Sequence, residues 1–125
     1  MTANTTTLTT QEVAARFHEL AQEEQWSAIQ DEFFADNVKS IEPENSPYFS
    51  NAEGKALVRQ KGDDFLQKIK AIHRLYTSEP IVTGNHFAVA REIDVTVLGS
   101  GRIQINQIML YKVQNGKIVS EQFFY

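Results

Sequence analysis

The sequence predicts an α+β domain, with helices laid on one side of an antiparallel sheet. Three observations predict it. Apolar residues recur at helical spacing through the first half of the chain. Strict alternation then runs through Phe87–Val97, and the pattern repeats through Ile103–Val113 with Ile108 and Leu110 as apolar exceptions, as strands with one drier face require. Turn chemistry at Gly99-Ser100-Gly101 and at Gln114-Asn115-Gly116 joins these runs into one meander from about His73 to Tyr125.

Taken in order, residues 1–8 read as a flexible tail and 9–125 as one domain. Thr9 and Glu12 fit a capping box, which satisfies amide donors at a helix start. Val13, Phe17, Leu20 and Ala21 follow as one apolar stripe. Glu23-Glu24-Gln25 is a polar break. A second short helix buries Trp26, Ile29, Phe33 and Phe34 and ends at Asp36-Asn37. Val38–Ile41 is a short strand closed by Glu42-Pro43, because a residue before proline prefers extended backbone. Residues 44–50 form a loop whose aromatic pair, Tyr48-Phe49, either lids a pocket or packs on the core. Asn51 is placed to cap a third helix with Val58, Phe65, Leu66 and Ile69 on its dry face. Gly62 interrupts that helix and marks close packing against the sheet. The strand from His73 to Thr83 contains Pro80, which places a bulge or an edge there.

A turn centred on Ser100 sets odd residues opposite odd residues, with Arg91 across from Met109 and diagonal to Gln107. Arg91 and Gln107 are then polar intrusions on an otherwise apolar face. A buried guanidinium without a partner is very costly, so a carboxylate is expected beside it. The parity of the last strand depends on its turn. A two-residue Asn-Gly loop turns Ile118, Ser120, Gln122 and Phe124 inward, whereas a three-residue loop turns in Val119, Glu121, Phe123 and Tyr125. The second set is favoured, because it carries more apolar surface and offers Glu121 to Arg91.

At 125 residues and 42% hydrophobic composition, the chain has enough material for one core. A net charge of −4 leaves no basic footprint for nucleic acid. The absence of cysteine excludes disulfides, thiolate catalysis and cysteine metal sites. His18, His73 and His86 are far apart with no ligand spacing, so no metal is expected. Neither a glycine-rich phosphate loop nor a nucleophile elbow is present, and no cofactor is expected. No basic leader and no membrane-length apolar run occur, which makes a cytoplasmic protein without membrane partners the expectation.

The helix with Arg16-Phe17, the segment Phe34-Ala35-Asp36-Asn37-Val38, the strand ending Ile41-Glu42-Pro43 and the terminal Asn115-Gly116-Lys117-Ile118-Val119 carry a family likeness. Over about residues 10–125 the chain resembles the SnoaL-like, nuclear transport factor 2-like superfamily. The resemblance implies a cone of curved sheet around three helices, a pocket for a small, partly apolar molecule, and a homodimer through the sheet. The superfamily holds isomerases, dehydratases, epoxide hydrolases, polyketide cyclases and non-enzymes, so fold does not fix function. Its ketosteroid isomerases place a general base before a proline at the end of the first strand, where this chain has Glu42-Pro43. The likeness also turns Arg91, Met109, Glu121, Phe123 and Tyr125 toward the pocket. The isomerases' two oxyanion donors correspond here to Met109 and to a position near Phe17, and neither supplies a donor. Glu42, Arg91 and Glu121 together are similar in type to the acid–arginine–acid set of limonene epoxide hydrolase-like members.

The candidate catalytic residues are therefore Glu42 as base, with Arg91 and Glu121; their structural alternatives are a solvated loop carboxylate and an internal ion pair. Candidate ligand-binding residues are Phe17, Trp26, Phe34, Tyr48, Phe49, Gln107, Met109, Tyr111, Phe123 and Tyr125. Of these, the aromatic and sulfur side chains serve equally as core or pocket wall, and Gln107 as a satisfied core amide. A non-catalytic binding or dimerisation module is the alternative to an acid–base enzyme.

Overall fold

The structure is a computed structural model that describes residues 7–125. Most of the expected tail, residues 1–6, lies outside the described residues. Helix α1 (Thr10–Gln22) starts at the expected capping box: the Thr9 hydroxyl accepts from the Glu12 amide, and the Glu12 carboxylate accepts from the Thr9 amide. Its stripe of Val13, Ala14, Phe17, Leu20 and Ala21 is buried. Helix α2 (Trp26–Phe33) ends at Phe33 rather than at Asp36-Asn37, because Phe34 already has extended backbone and opens strand β1 (Phe34–Ile41). A short β2 (Ala52–Glu53) pairs with β1 and leads into helix α3 (Lys55–Lys68). Gly54, at φ 93, is the N-cap of α3, so Asn51 is not its cap.

Five further strands complete the sheet: β3 (Ile69–Thr77), β4 (Ile81–Thr83), β5 (His86–Val97), β6 (Gly101–Gln114) and β7 (Lys117–Phe124). The expected strand over 73–83 is thus two strands, broken around Pro80, which cannot donate to a ladder. The sheet order is β2-β1-β7-β6-β5-β3, with β4 also on β5. All pairs are antiparallel except β1 with β7, which is parallel. The helices and the concave face enclose one core. Phe17 lies at its centre, with ring centroids 4.8 Å from Tyr111, 5.0 Å from Phe87 and 5.6 Å from Trp26. Burying such a ring is worth roughly 1.5–3 kcal/mol.

Both turns differ from expectation in an informative way. Val97 pairs with Gly101, so the β5–β6 turn is centred on Gly99, and the register moves by two residues. Odd residues still oppose odd residues, but Arg91 faces Gln107 while Met109 faces Val89. The β6–β7 loop is the two-residue Asn115-Gly116 turn, both residues at positive φ, with Gln114 opposite Lys117. Ile118 is therefore buried, as that turn demands. The register then shifts at Val119, from Val113↔Ile118 to Lys112↔Ser120. This bulge reverses the parity and brings Glu121 and Phe123 to the concave face.

Candidate functional site

The concave face of the sheet, α3 and the α1–α2 corner surround a cavity of about 350 Å³. Its walls are mostly apolar and include Trp26, Phe49, Val58, Phe65, Ile93, Met109 and Phe123. Glu24, Glu42, Lys61, Arg91, Gln107, Tyr111 and Glu121 interrupt them. Leu66, expected on the dry face of α3, lines this cavity and is largely exposed. Gly62 lines it too, and a Cβ there would meet nothing within 4 Å, so this glycine does not mark close packing.

Cross-strand register assembles the polar groups in two rows. In one, the parallel β1–β7 pair sets Ser40 opposite Glu121, which faces Tyr111 on β6. The Ser40 hydroxyl donates to Glu121 Oε2 at 2.7 Å and accepts from Lys61 Nζ at 2.7 Å. Lys61 also donates to Glu42 Oε2 at 2.6 Å and to the Ser50 carbonyl at 3.3 Å, which uses all three of its protons. Glu42 Oε1 accepts from the Tyr125 hydroxyl at 2.7 Å, and the Glu42 amide donates to Asn51 Oδ1 at 2.7 Å. Asn51 therefore fixes the Glu42 backbone. Burial pushes the Glu121 carboxyl up to about 7, against the Ser40 hydrogen bond and the Lys61 charge. Burial, together with the Glu42 carboxylate, pushes the Tyr125 phenol up to about 12. Burial also raises the Tyr111 phenol well above its ordinary range.

In the second row, Thr77 on β3 and Gln107 on β6 flank Arg91. The expected carboxylate beside Arg91 is not Glu121 but Glu24. Two guanidinium nitrogens donate to its two oxygens at 2.8 Å, and Thr77 Oγ1 accepts at 3.0 Å. The guanidinium carbon lies 4.7 Å from the centre of the Trp26 ring, whose indole N–H donates to Glu24 at 2.8 Å. Burial raises the Glu24 carboxyl, but the hydrogen bonds from Arg91 and Trp26 outweigh it and hold the group below its ordinary value. The reason Glu121 is not the partner is distance along the sheet. Gln107 and Tyr111, the β6 partners of Arg91 and Glu121, are four residues apart, about 13 Å at the strand rise.

Glu42, Arg91 and Glu121 all line the cavity, as do Trp26, Phe49, Gln107, Met109, Tyr111 and Phe123. Four expected ligand contacts do not. Phe17 and Phe34 are core residues behind the wall. Tyr48 lies outside, 6.1 Å from the Tyr125 ring, and Tyr125 reaches the site only through its hydroxyl. Phe49 packs edge-on against Phe65 at 5.0 Å, so the loop pair is divided between wall and surface.

Three residues of the cavity's polar network are not among the site residues expected from sequence: Lys61, Ser40 and Glu24. Lys61 sits three residues after Val58 and four before Phe65, a charge inside an apolar helical stripe. That is the same kind of signal that singled out Arg91. Ser40 shares the inward face of β1 with Val38, and both are buried. Glu24 gave no signal, because a glutamate in a polar break is unremarkable until the fold sets it beside Arg91.

The three carboxylates differ in what remains free. Both oxygens of Glu24 and both of Glu42 accept hydrogen bonds. Glu121 has one oxygen on Ser40, and its Oε1 has no partner among the described residues. The Gln107 amide likewise has no side-chain partner among them. The arrangement offers one carboxyl that changes protonation near neutrality, in an apolar cavity, with its neighbours already satisfied.

Comparison with known proteins agrees with this architecture. The family model for the SnoaL-like domain matches residues 8–125. A SnoaL-like, polyketide cyclase-like protein of Mesorhizobium loti is 31% identical, with a TM-score of 0.87 over 94% of this chain and 100% of that one. A cystatin-like-fold protein of unknown function from Xanthomonas campestris superposes with a TM-score of 0.74 at 17% identity, covering 94% of this chain and 90% of the other. A ketosteroid isomerase-like fold from Catenulispora acidiphila gives 0.63 at 14% identity, over 78% and 72%. No curated protein matches. No helix among the described residues is long and apolar enough to cross a membrane. The cone, its three covering helices and a family match spanning nearly every described residue make one conclusion: the chain belongs to the SnoaL-like domain family.

Proposed function

We propose that this protein binds a small, partly apolar organic molecule in the cone cavity, with binding coupled to proton exchange at Glu121. The single observation behind this reading is the open oxygen of Glu121 on an otherwise apolar cavity whose other carboxylates are saturated. A carboxyl held at about 7 takes or returns a proton at neutral pH without a cofactor. On a molecule with an acidic C–H or a departing hydroxyl, that supports isomerase, dehydratase, cyclase or hydrolase chemistry. In this reading Glu42 and Arg91 hold the site in shape through Lys61 and Glu24, and Glu121 moves the proton.

The positions that lack oxyanion donors, Phe17 and Met109, favour a second reading in which the cavity binds without turnover. Either reading accommodates a homodimer through the outer face of the sheet. There Ala90, Ile108 and Phe124 form one apolar row beside Glu92 and Asn106, and Ile108 and Phe124 are 47% and 48% exposed.

Native mass spectrometry of freshly purified protein tests the first reading, followed by the same measurement on Glu121→Gln. A retained small molecule that the variant holds less well is the expected result. A cavity that carries nothing and takes up no member of a fragment library would overturn it. Turnover of the retained molecule by the wild type, and none by Glu121→Gln, would separate catalysis from binding.

A further inference from the structure

The charges that line the cavity narrow the class of molecule it can hold. Three carboxylates and two cations face it. Each cation already has an acid of its own. Lys61 pairs with Glu42 at 2.6 Å and spends its remaining protons on Ser40 and the Ser50 carbonyl. Arg91 is chelated by Glu24 and lies over Trp26. An anionic ligand would have to take a cation away from a buried carboxylate, leaving that charge unpaired at high cost. The third acid, Glu121, has no cation of its own. It is only 7% exposed, and its one free oxygen lies on the cavity wall.

We infer that the site takes an organic cation: an amine whose ammonium pairs with the free oxygen of Glu121 and whose apolar body rests on the aromatic wall. This rests on the reading of the cavity as the ligand site, not on turnover. Trp26, Tyr111 and Phe123 line the same space, and two of these rings already hold protein cations, Arg91 at 4.7 Å from the Trp26 centre and Lys61 at 5.2 Å from that of Phe123, so the wall suits a cation better than an anion. Gln107, with its amide free, offers a second polar anchor about 13 Å along the strand, so a molecule with a polar group at each end fits better than a purely apolar one. The ammonium completes the balance of three acids with three cations. It also displaces the proton that Glu121 carries near neutrality, so binding releases a proton to solvent. The other titratable groups facing the cavity are Glu24, Glu42, Lys61, Arg91 and Tyr111. The four charged ones are locked in ion pairs, and Tyr111 is pushed away from the physiological range.

Calorimetric titration of the whole protein with three probes of one shape tests this: phenethylamine, phenethyl alcohol and phenylacetate. The amine is expected to bind about tenfold or more tighter than the alcohol, and phenylacetate weakest. Its heat should vary with buffer ionisation enthalpy, reporting release of a proton. Glu121→Gln should bring the amine to the level of the alcohol. If the alcohol or phenylacetate binds as well as the amine, the inference fails while the cavity remains a ligand site. If none of the three binds, both the inference and the ligand-site reading fall. The wild-type comparison decides the matter even if the variant does not fold.

Discussion

Lys61 stands 2.6 Å from Glu42 and, through Ser40, one hydroxyl away from Glu121, so a single ammonium governs both carboxylates of the inner row. Its charge lowers the Glu121 carboxyl, whereas the charge of Glu42 raises it. Removing each should therefore move Glu121 in opposite directions. In a ¹³C carboxyl titration, Lys61→Met is expected to lift the Glu121 midpoint above about 7, and Glu42→Gln to bring it below. Lys61→Met should also cost about 3 kcal/mol in urea unfolding, because it leaves Glu42 buried and unpaired. Midpoints that move together, or not at all, would show that the row is not coupled in this way.

The raised Glu121 carboxyl makes stability depend on pH in a definite direction. Its folded value of about 7 exceeds the ordinary 4.5, so the native state holds this proton more tightly than the unfolded chain. That contribution is complete below about pH 4.5 and is lost as pH rises through about 7. Glu121→Gln cannot lose it. The stability of the variant relative to wild type should climb between those values, by about 3 kcal/mol at most. Denaturant unfolding at a series of pH values reads the difference directly. A flat difference would contradict the assignment.

Arg91 and Glu24 are joined across 67 residues, and the pair fixes the α1–α2 corner to the sheet. Glu24 is held at φ 55, a conformation that non-glycine residues rarely adopt. Glu24→Ala should cost about 1–2 kcal/mol, less than a fully buried pair because the glutamate side chain is 35% exposed. Adding Arg91→Met should recover part of that loss, since an apolar side chain leaves no stranded charge. A double mutant less stable than the single one would mean that Arg91 has a second carboxylate partner.

If the outer row of Ala90, Ile108 and Phe124 is a dimer interface, one charge at its centre should open it. Ile108→Asp puts a carboxylate directly between the other two, in a row where Ile108 pairs with both. The expected sedimentation profile is a dimer for the wild type and a monomer for the variant at micromolar concentration. A wild type that sediments as a monomer would remove the dimer from either functional reading.

Periodicity along a strand encodes which face a side chain takes, not which residue it pairs with. The inward face of β5 was legible because a period of two needs no partner, and Val89, Arg91, Val95 and Val97 are all buried. Pairing register was not legible. A slip of two residues preserves every face, so nothing in the pattern opposed placing Met109 across from Arg91. Glu121 was legible as an inward residue, but for a reason that does not hold. The turn has two residues, and the bulge at Val119 supplies the reversal that a longer loop was expected to give. Lys61 was legible in principle from its place in the stripe of α3, whereas Glu24 required the fold itself.

That last turn gives a prediction that separates backbone conformation from packing. Asn115 has φ 51 and Gly116 φ 75, as a two-residue hairpin turn of this hand requires. At Gly116 a Cβ would also stand 3.2 Å from the Leu8 amide nitrogen and 3.2 Å from Thr7 Cγ2. The Leu8 contact is backbone and cannot rotate away. Gly116→Ala therefore meets both strain and crowding, and should cost about 1–2 kcal/mol. Asn115→Gly meets neither, and should change stability by less than about 0.5 kcal/mol. A Gly116→Ala variant as stable as wild type in urea would mean that the turn adopts another geometry. The reversal at Val119 would then need a different cause, because the register that delivers Glu121 to the cavity begins at this turn.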